Sequence, residues 1–216
     1  MKKIELVYRD ILQTALSNKK SKFVVREIAK ELGISPNTVS FAIMPLKRSG
    51  AVKMYLRHFD IINFDKLLAF WAVNRNMDKD IIYRTYVPVK NAEQIEKKMP
   101  NEIAYTCCSG YKNLFGNDVS DYSGVYVYAA EDSLMEIKKR FPERKLSERA
   151  NDYNLFVLKP DKILEEKINS HKLEHDTVSI PQLYVDLWNT TEWYSYEFLK
   201  RLKKRINDTY GKAILE

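Results

Sequence analysis

The segment Val24–Val52, VVREIAKELGISPNTVSFAIMPLKRSGAV, constrains the fold more tightly than any other stretch of the chain. Val25, Ile28, Ala29 and Leu32 recur at helical spacing and define one apolar stripe. Gly33 can take the left-handed conformation that ends a helix, and Ile34 then tucks into the turn. Ser35 is a good N-cap, and Pro36 suits the first helical position, where its missing N–H is no loss. A second helix follows with Val39, Ile43 and Leu46 facing inward and Asn37, Thr38, Ser40, Phe41 and Lys47 facing out. Two short helices joined by so tight a turn form a helix-turn-helix pattern. Pro45 lies inside the second helix and removes the N–H that would bond the Phe41 carbonyl, which predicts a kink or an early end near Met44.

The flanks extend the pattern. Ile4, Val7, Ile11, Leu12, Ala15 and Leu16 predict a supporting helix upstream. Downstream, Ser49-Gly50 stops the second helix, and Ala51–Tyr55 pairs with His58–Ile62 as a hairpin around Leu56-Arg57. Three helices followed by a two-stranded wing make a winged helix. Through IAKELGIS, PNTVS and LKRSGAV, the first sixty or so residues resemble the superfamily of prokaryotic winged-helix regulators. The resemblance implies a winged helix-turn-helix DNA-binding domain over residues 1–63, its second helix lying in a major groove.

Charge is an independent observation. Residues 1–60 hold 12 Lys or Arg against 5 Asp or Glu, whereas residues 61–216 hold 24 of each. The whole formal surplus of +7 therefore sits on the helix-turn-helix segment, as a polyanion-binding surface requires. Asn37, Thr38, Ser40 and Phe41 are short or apolar enough to reach base edges: Asn bonds adenine, Ser and Thr are permissive, and Phe41 can sit on a thymine methyl. Lys19, Lys20, Lys22, Arg26, Lys47 and Arg48 are assigned to phosphates. Lys53, Tyr55, Arg57 and His58 belong to the wing, with Arg57 at its tip facing a minor groove. The competing readings are solubility charges on a basic domain and, for Phe41, packing beneath the wing.

Beyond the wing, Asn63 caps an amphipathic helix whose stripe is Phe64, Leu67, Leu68, Trp71 and Ala72. Residues 64–76 are expected to be a rigid connector and 77–216 a second domain, with the boundary near Asn63, or near Asn76 if the helix belongs to the first domain. There, Ile81–Val87, Val125–Ala129 and Leu155–Leu158 read as strands. Asn91–Met99, Asp132–Arg140, Gln182–Trp188 and Glu192–Ile206 read as helical, and Ala104–Phe115 reads as containing another helix. Strands alternating with helices predict an α+β chain: a winged helix, then a mixed α/β domain with helices packed on a small sheet. The two cysteines, Cys107 and Cys108, are adjacent, so neither a disulfide framework nor a C-x-x-C knuckle is expected. No apolar run approaches the roughly 18 residues that span a bilayer, and a reducing cytoplasm is the expected location.

Residues capable of chemistry were weighed in turn. Asp118 and Asp121 stand three apart in GNDVSDYSG, which does not put both carboxylates on one face of a strand. His171 and His175 have the spacing of helical metal ligands but lack a third ligand and lie among charges. Cys107 and Cys108 have no His near in sequence to activate them and suit a buried position. Six glycines leave no P-loop and no G-x-G-x-x-G. The expectation is a chain that is not an enzyme and carries no cofactor or metal.

AYTCCSGYKNLFG (Ala104–Gly116), followed by GVYVYA, and SIPQLYVDLWN (Ser179–Asn189) resemble the antitoxin domain of type IV toxin–antitoxin systems of the AbiEi class. That resemblance implies a repressor that binds its own promoter as double-stranded DNA and neutralises a nucleotidyltransferase-type toxin, with Tyr184, Asp186 and Trp188 as scaffold. A homodimer is compatible with it. A buried Asp186 needs a hydrogen-bond partner. The run Lys200, Arg201, Lys203, Lys204 and Arg205 is either a solvated helix face or a second contact surface. Tyr122, Tyr126, Tyr128, Tyr194 and Tyr196 mark either a sheet face or an interaction surface. The alternative functions are a ligand-sensing transcription factor and a nucleic-acid enzyme tethered by its winged helix.

Overall fold

The computed structural model describes residues 1–144 and 153–210; within the expected span 77–216, residues 145–152 and 211–216 lie outside it. The fold is mixed α+β, and the described residues divide into two compact units. The first is Met1–Arg75 together with Ser179–Val185 and the described residues from Leu202 onward. The second is made of the described residues of Asn76–Val178 and of Asp186–Arg201. The helix at 64–74 lies inside the first unit, which puts the division at Asn76, the second of the two expected places. The difference from the expected division is at the C-terminal end, where two segments join the first unit.

In the first unit α1 (Lys3–Asn18) precedes a short strand, β1 (Lys22–Phe23). Helices α2 (Val25–Glu31) and α3 (Pro36–Arg48) follow, then β2 (Val52–Met54), β3 (Phe59–Ile61) and α4 (Phe64–Asn74). Helix α1 packs against α3 and α4, and α2 against α3. Val7, Ile11, Leu12 and Leu16 are buried, as are Ile28, Val39, Ile43, Leu46, Phe59, Leu67 and Trp71. The Tyr8 hydroxyl donates to the Ala42 carbonyl at 3.1 Å and ties α1 to α3. The buried Glu5 carboxylate accepts from Trp71 Nε1 at 3.3 Å and pairs with Arg75 Nη1 at 3.2 Å. This pair is why α4 belongs to the unit: a buried charge is tolerated only beside its counter-charge. Arg9 donates to Gln182 Oε1 at 2.9 Å, which holds the Ser179–Val185 segment within the same unit.

Helix α3 does not end near Met44. It continues through Pro45 to Arg48, and the Ser49 N–H bonds the Pro45 carbonyl at 2.9 Å. Proline deletes a single donor, and burial of Ala42, Ile43 and Leu46 on either side of it holds the helix together. The hairpin forms around Leu56-Arg57, with Tyr55 N–H donating to the His58 carbonyl at 2.8 Å. It is shorter than expected, and β1 adds to it as an unforeseen third strand in the order β1-β3-β2.

The second unit is built on a four-stranded sheet of β4 (Ile81–Thr85), β5 (Ile103–Thr106), β6 (Val125–Ala129) and β7 (Leu155–Leu158), in the order β4-β7-β6-β5. Strands β6 and β7 are parallel, and both outer pairings are antiparallel. Helix α7 (Glu131–Arg140) follows β6. Short helix α5 (Glu93–Glu96) precedes β5, and α6 (Cys107–Phe115) follows it directly. Helices α8 (Lys162–Asn169), α9 (Ile180–Trp188) and α10 (Ser195–Tyr210) come later. One expected helix is corrected. Asn91–Met99 narrows to α5 because its flanks bond at three-residue spacing, with Lys98 N–H to Ile95 C=O and Met99 N–H to Glu96 C=O. The helix expected within Ala104–Phe115 is α6, which β5 precedes; Cys107, with a φ of +53°, turns the strand into the helix.

Every residue of β6 is buried, so the strand carries two different faces. Val125, Val127 and Ala129 join Ile95, Ile103, Ile137, Phe141, Leu155 and Val157 in an apolar core. Tyr126 and Tyr128 occupy the other face, and carboxylates take their hydroxyls. Tyr126 donates to Glu192 Oε1 at 2.6 Å, and Tyr128 to Asp186 Oδ2 at 2.9 Å. Thr106 Oγ1 also donates to Asp186 Oδ2 at 2.9 Å, so the buried Asp186 has partners. Tyr122 bonds Glu96 in the same manner.

Two outcomes follow. Tyr128→Phe should lower stability by about 1–3 kcal/mol, because it strips a donor from a buried carboxyl, whereas Tyr196→Phe at an exposed site should be neutral; urea midpoints compare them. The second concerns pH. Burial, with Glu5 adding to it, pushes Tyr8 up to about 12, and burial beside Asp65 does the same for Tyr184. Burial first and then their carboxylate partners push Tyr122 and Tyr126 higher still. A tyrosine whose folded-state pKa is raised contributes stability that is complete below about pH 10 and is lost as pH climbs through the folded value. Tyrosinate absorbance and loss of helical circular dichroism should therefore rise together between about pH 10 and 12. Ionisation of all tyrosines at pH 10 with the fold intact would contradict this.

Candidate nucleic-acid interface

The turn between α2 and α3 forms as its residues dictate. Gly33 sits at φ +61°, and the Ile34 N–H bonds the Ala29 carbonyl at 3.0 Å. The Ser35 hydroxyl accepts the Thr38 N–H at 3.1 Å, so α3 starts with a side-chain cap and with proline in its first turn. Tyr8 and the apolar face of Val39, Ala42, Ile43 and Leu46 fix the inner side of this helix. Its outer side is thereby fixed as well.

On that outer side Asn37, Ser40 and Phe41 are exposed, with Phe41 at 78%. Together with Met44, Pro45 and Arg48 they line a shallow concavity of about 460 Å³. Thr38 departs from the expected set: it is half-buried, and its hydroxyl lies 2.9 Å from Ser35 Oγ, so the cap occupies it. Met44, 45% exposed, was not among the residues singled out from sequence. The step of three and four residues from Asn37 through Ser40 and Phe41 leads to it.

The expected phosphate ligands Lys19, Lys20, Lys22, Arg26, Lys47 and Arg48 are all exposed. So are Lys53 and Arg57 on the hairpin. Among the described residues none of these eight cations is in an ion pair, whereas Arg75 in the same unit is buried against Glu5. The hairpin is braced by its own side chains. Tyr55 and His58 stack at 4.6 Å between ring centroids, Lys53 Nζ lies 5.3 Å from the Tyr55 ring, and His58 Nε2 is 3.7 Å from Asp60 Oδ1. At its tip Leu56 is 97% exposed beside Arg57. No sequence pattern distinguished this leucine from one that packs.

The other residues weighed for chemistry are dispersed or occupied. Tyr111 donates to Asp118 at 3.1 Å, and Asp121 is exposed. His171 and His175 have left-handed φ values of +50° and +48°, so they do not share a helix face. Among the described residues no group of three metal-ligating side chains occurs. Cys107 and Cys108 are buried thiols; burial pushes both up, with Asp186 adding to the effect at Cys107, so the thiolate is disfavoured. In the basic run, Lys200 lies 3.6 Å from Glu197, and Lys203 pairs with Asp65 at 2.9 Å. Among the described residues no helix is long and apolar enough to cross a membrane. No protein-family model, curated protein or solved structure matches the chain.

Proposed function

We propose that this chain is a DNA-binding transcriptional regulator whose first unit acts as a winged helix-turn-helix. In this reading α3 is the recognition helix, the hairpin is the wing, and α1 with α2 forms the supporting frame. One observation carries it: the unit that presents the outward row of α3 also exposes eight cations, Lys19, Lys20, Lys22, Arg26, Lys47, Arg48, Lys53 and Arg57, none of which is in an ion pair among the described residues. Cations retained without carboxylate partners suit a polyanionic ligand, and their removal from water is offset by release of the counterions held on the duplex. Asn37, Ser40 and Phe41 face the base edges; the cap occupancy of Thr38 makes its contribution indirect.

The resemblance of AYTCCSGYKNLFG and SIPQLYVDLWN to AbiEi-class antitoxins narrows the proposal to an antitoxin-like autorepressor. Its second unit then carries the surface for a nucleotidyltransferase-type toxin. Exposed Trp193 and Tyr196 are the aromatic side chains of that unit best suited to anchor a protein partner. A homodimer would place two α3 helices on half-sites about one helical turn apart.

The direct experiment is a gel shift with DNA from upstream of the chain's own gene, with and without the product of any neighbouring nucleotidyltransferase-type gene. Retarded DNA, altered by that product, is the expected result; no association with duplex in dilute buffer would end the proposal. Lys47→Ala and Arg26→Ala should each flatten the slope of log K against log salt by about one unit while weakening all sequences alike. Asn37→Ala should cost about 1–3 kcal/mol at one base position, relaxing preference there without changing that slope.

A further inference from the structure

The chemistry of the α3 surface narrows the kind of duplex it accepts. Its outward positions run Asn37, Ser40, Phe41, Met44 and Arg48, at steps of three and four residues. Within the first two and a half turns this row offers one amide, one hydroxyl, a phenyl ring and a thioether. Guanine shows the major groove two acceptors, which Arg or Lys read, and cytosine shows an amino donor, which a carboxylate reads. Helix α3 carries no carboxylate, and its only cations, Lys47 and Arg48, are confined to its last turn. Adenine presents a donor beside an acceptor, the match for the Asn37 amide, and thymine presents a 5-methyl group. Phe41 and Met44 are the largest solvent-facing apolar groups of the helix, and they share the concavity with Asn37.

We infer that α3 selects A·T base pairs by packing Phe41 and Met44 against thymine methyl groups beside an Asn37–adenine contact. The inference rests on the proposed winged-helix reading and specifies the ligand of that same site. The charge at its edge decides its occupant: Arg48 lines the concavity, Lys47 precedes it on the helix, and neither is in an ion pair among the described residues. An apolar face edged by such cations fits a duplex, whose grooves hold methyl groups between two rows of phosphates. Burying such a methyl strengthens binding about fourfold. The sulfur of Met44 adds a polarisable atom that adapts to local groove shape.

Three duplexes of about two helical turns test this by fluorescence anisotropy with the full chain, compared with one another at roughly 0.1 M salt and each repeated over a salt series for the slope. One is A·T-rich, one is the same sequence with deoxyuridine replacing thymidine, and one is G·C-rich. The deoxyuridine duplex keeps every pairing and every hydrogen-bonding atom and lacks only the methyls. Expected are preference for the A·T duplex and a loss of about fourfold per contacted methyl on the uracil duplex. Phe41→Ala should shrink the uracil effect and Phe41→Ala with Met44→Ala should erase it, with the salt slope intact, while Phe41→Leu keeps part of it; both residues are solvent-facing, so these variants should fold as the parent does. Equal affinity for all three duplexes, with steep salt dependence, overturns the inference and leaves DNA binding standing. An A·T preference that survives both uracil and Phe41→Ala also overturns it, by assigning selection to groove shape. Failure to bind any duplex removes the DNA-binding reading and the inference together.

Discussion

The first unit depends on which side of α3 is buried. Val39, Ala42, Ile43 and Leu46 are removed from water against α1 and α2, and the Tyr8 hydroxyl on the Ala42 carbonyl fixes the rotation of the helix about its axis. Four buried apolar side chains, at roughly 1.5–3 kcal/mol for each of the large ones, outweigh the single hydrogen bond that Pro45 deletes, so the helix continues past it. Once that rotation is set, the opposite row has no freedom left. Asn37, Ser40, Phe41 and Met44 face water because they lie on the side of the helix opposite Val39, Ala42, Ile43 and Leu46.

The second unit solves a different problem. Strand β6 is covered on both faces, yet alternate positions carry phenols rather than aliphatic groups. Each phenol must find an acceptor away from water. Glu192 and Asp186 accept the hydroxyls of Tyr126 and Tyr128, and Glu96 accepts that of Tyr122, so three carboxylates that are polar in sequence become part of the sheet's covering layer. These bonds are directional, and they specify how the segment Asp186–Arg201 sits on its own unit more closely than apolar contact alone would.

Much of this was legible from residue patterns, for reasons that can be named. The stripe in Val25–Leu32, the Gly33 turn and the Ser35-Pro36 start are local signals, and local signals sufficed for α2 and α3. The Asn63 cap and the stripe ending at Trp71 likewise located α4. What escaped was set by partners distant in sequence. Strand β1 has only two residues and exists because β3 offers an open edge. Ile103–Thr106 is four residues long and becomes a strand through its pairing with β6. The assignment of Ser179–Val185 to the first unit depends on Arg9 reaching Gln182, a contact no periodicity encodes. At the candidate interface the Lys and Arg side chains are exposed, as a charge surplus on so small a unit requires. The engagement of Thr38 by Ser35 and the exposure of Met44 and Leu56 required coordinates, since both depend on rotation and turn geometry rather than on residue type.

The hairpin tip has a consequence for the life of the molecule as well as for its contacts. A leucine held almost wholly in water, together with a phenylalanine on α3 that is nearly as bare, is a standing hazard for self-adhesion at high concentration. Replacing either with a hydrophilic residue would cost the fold nothing, because neither contributes to its interior.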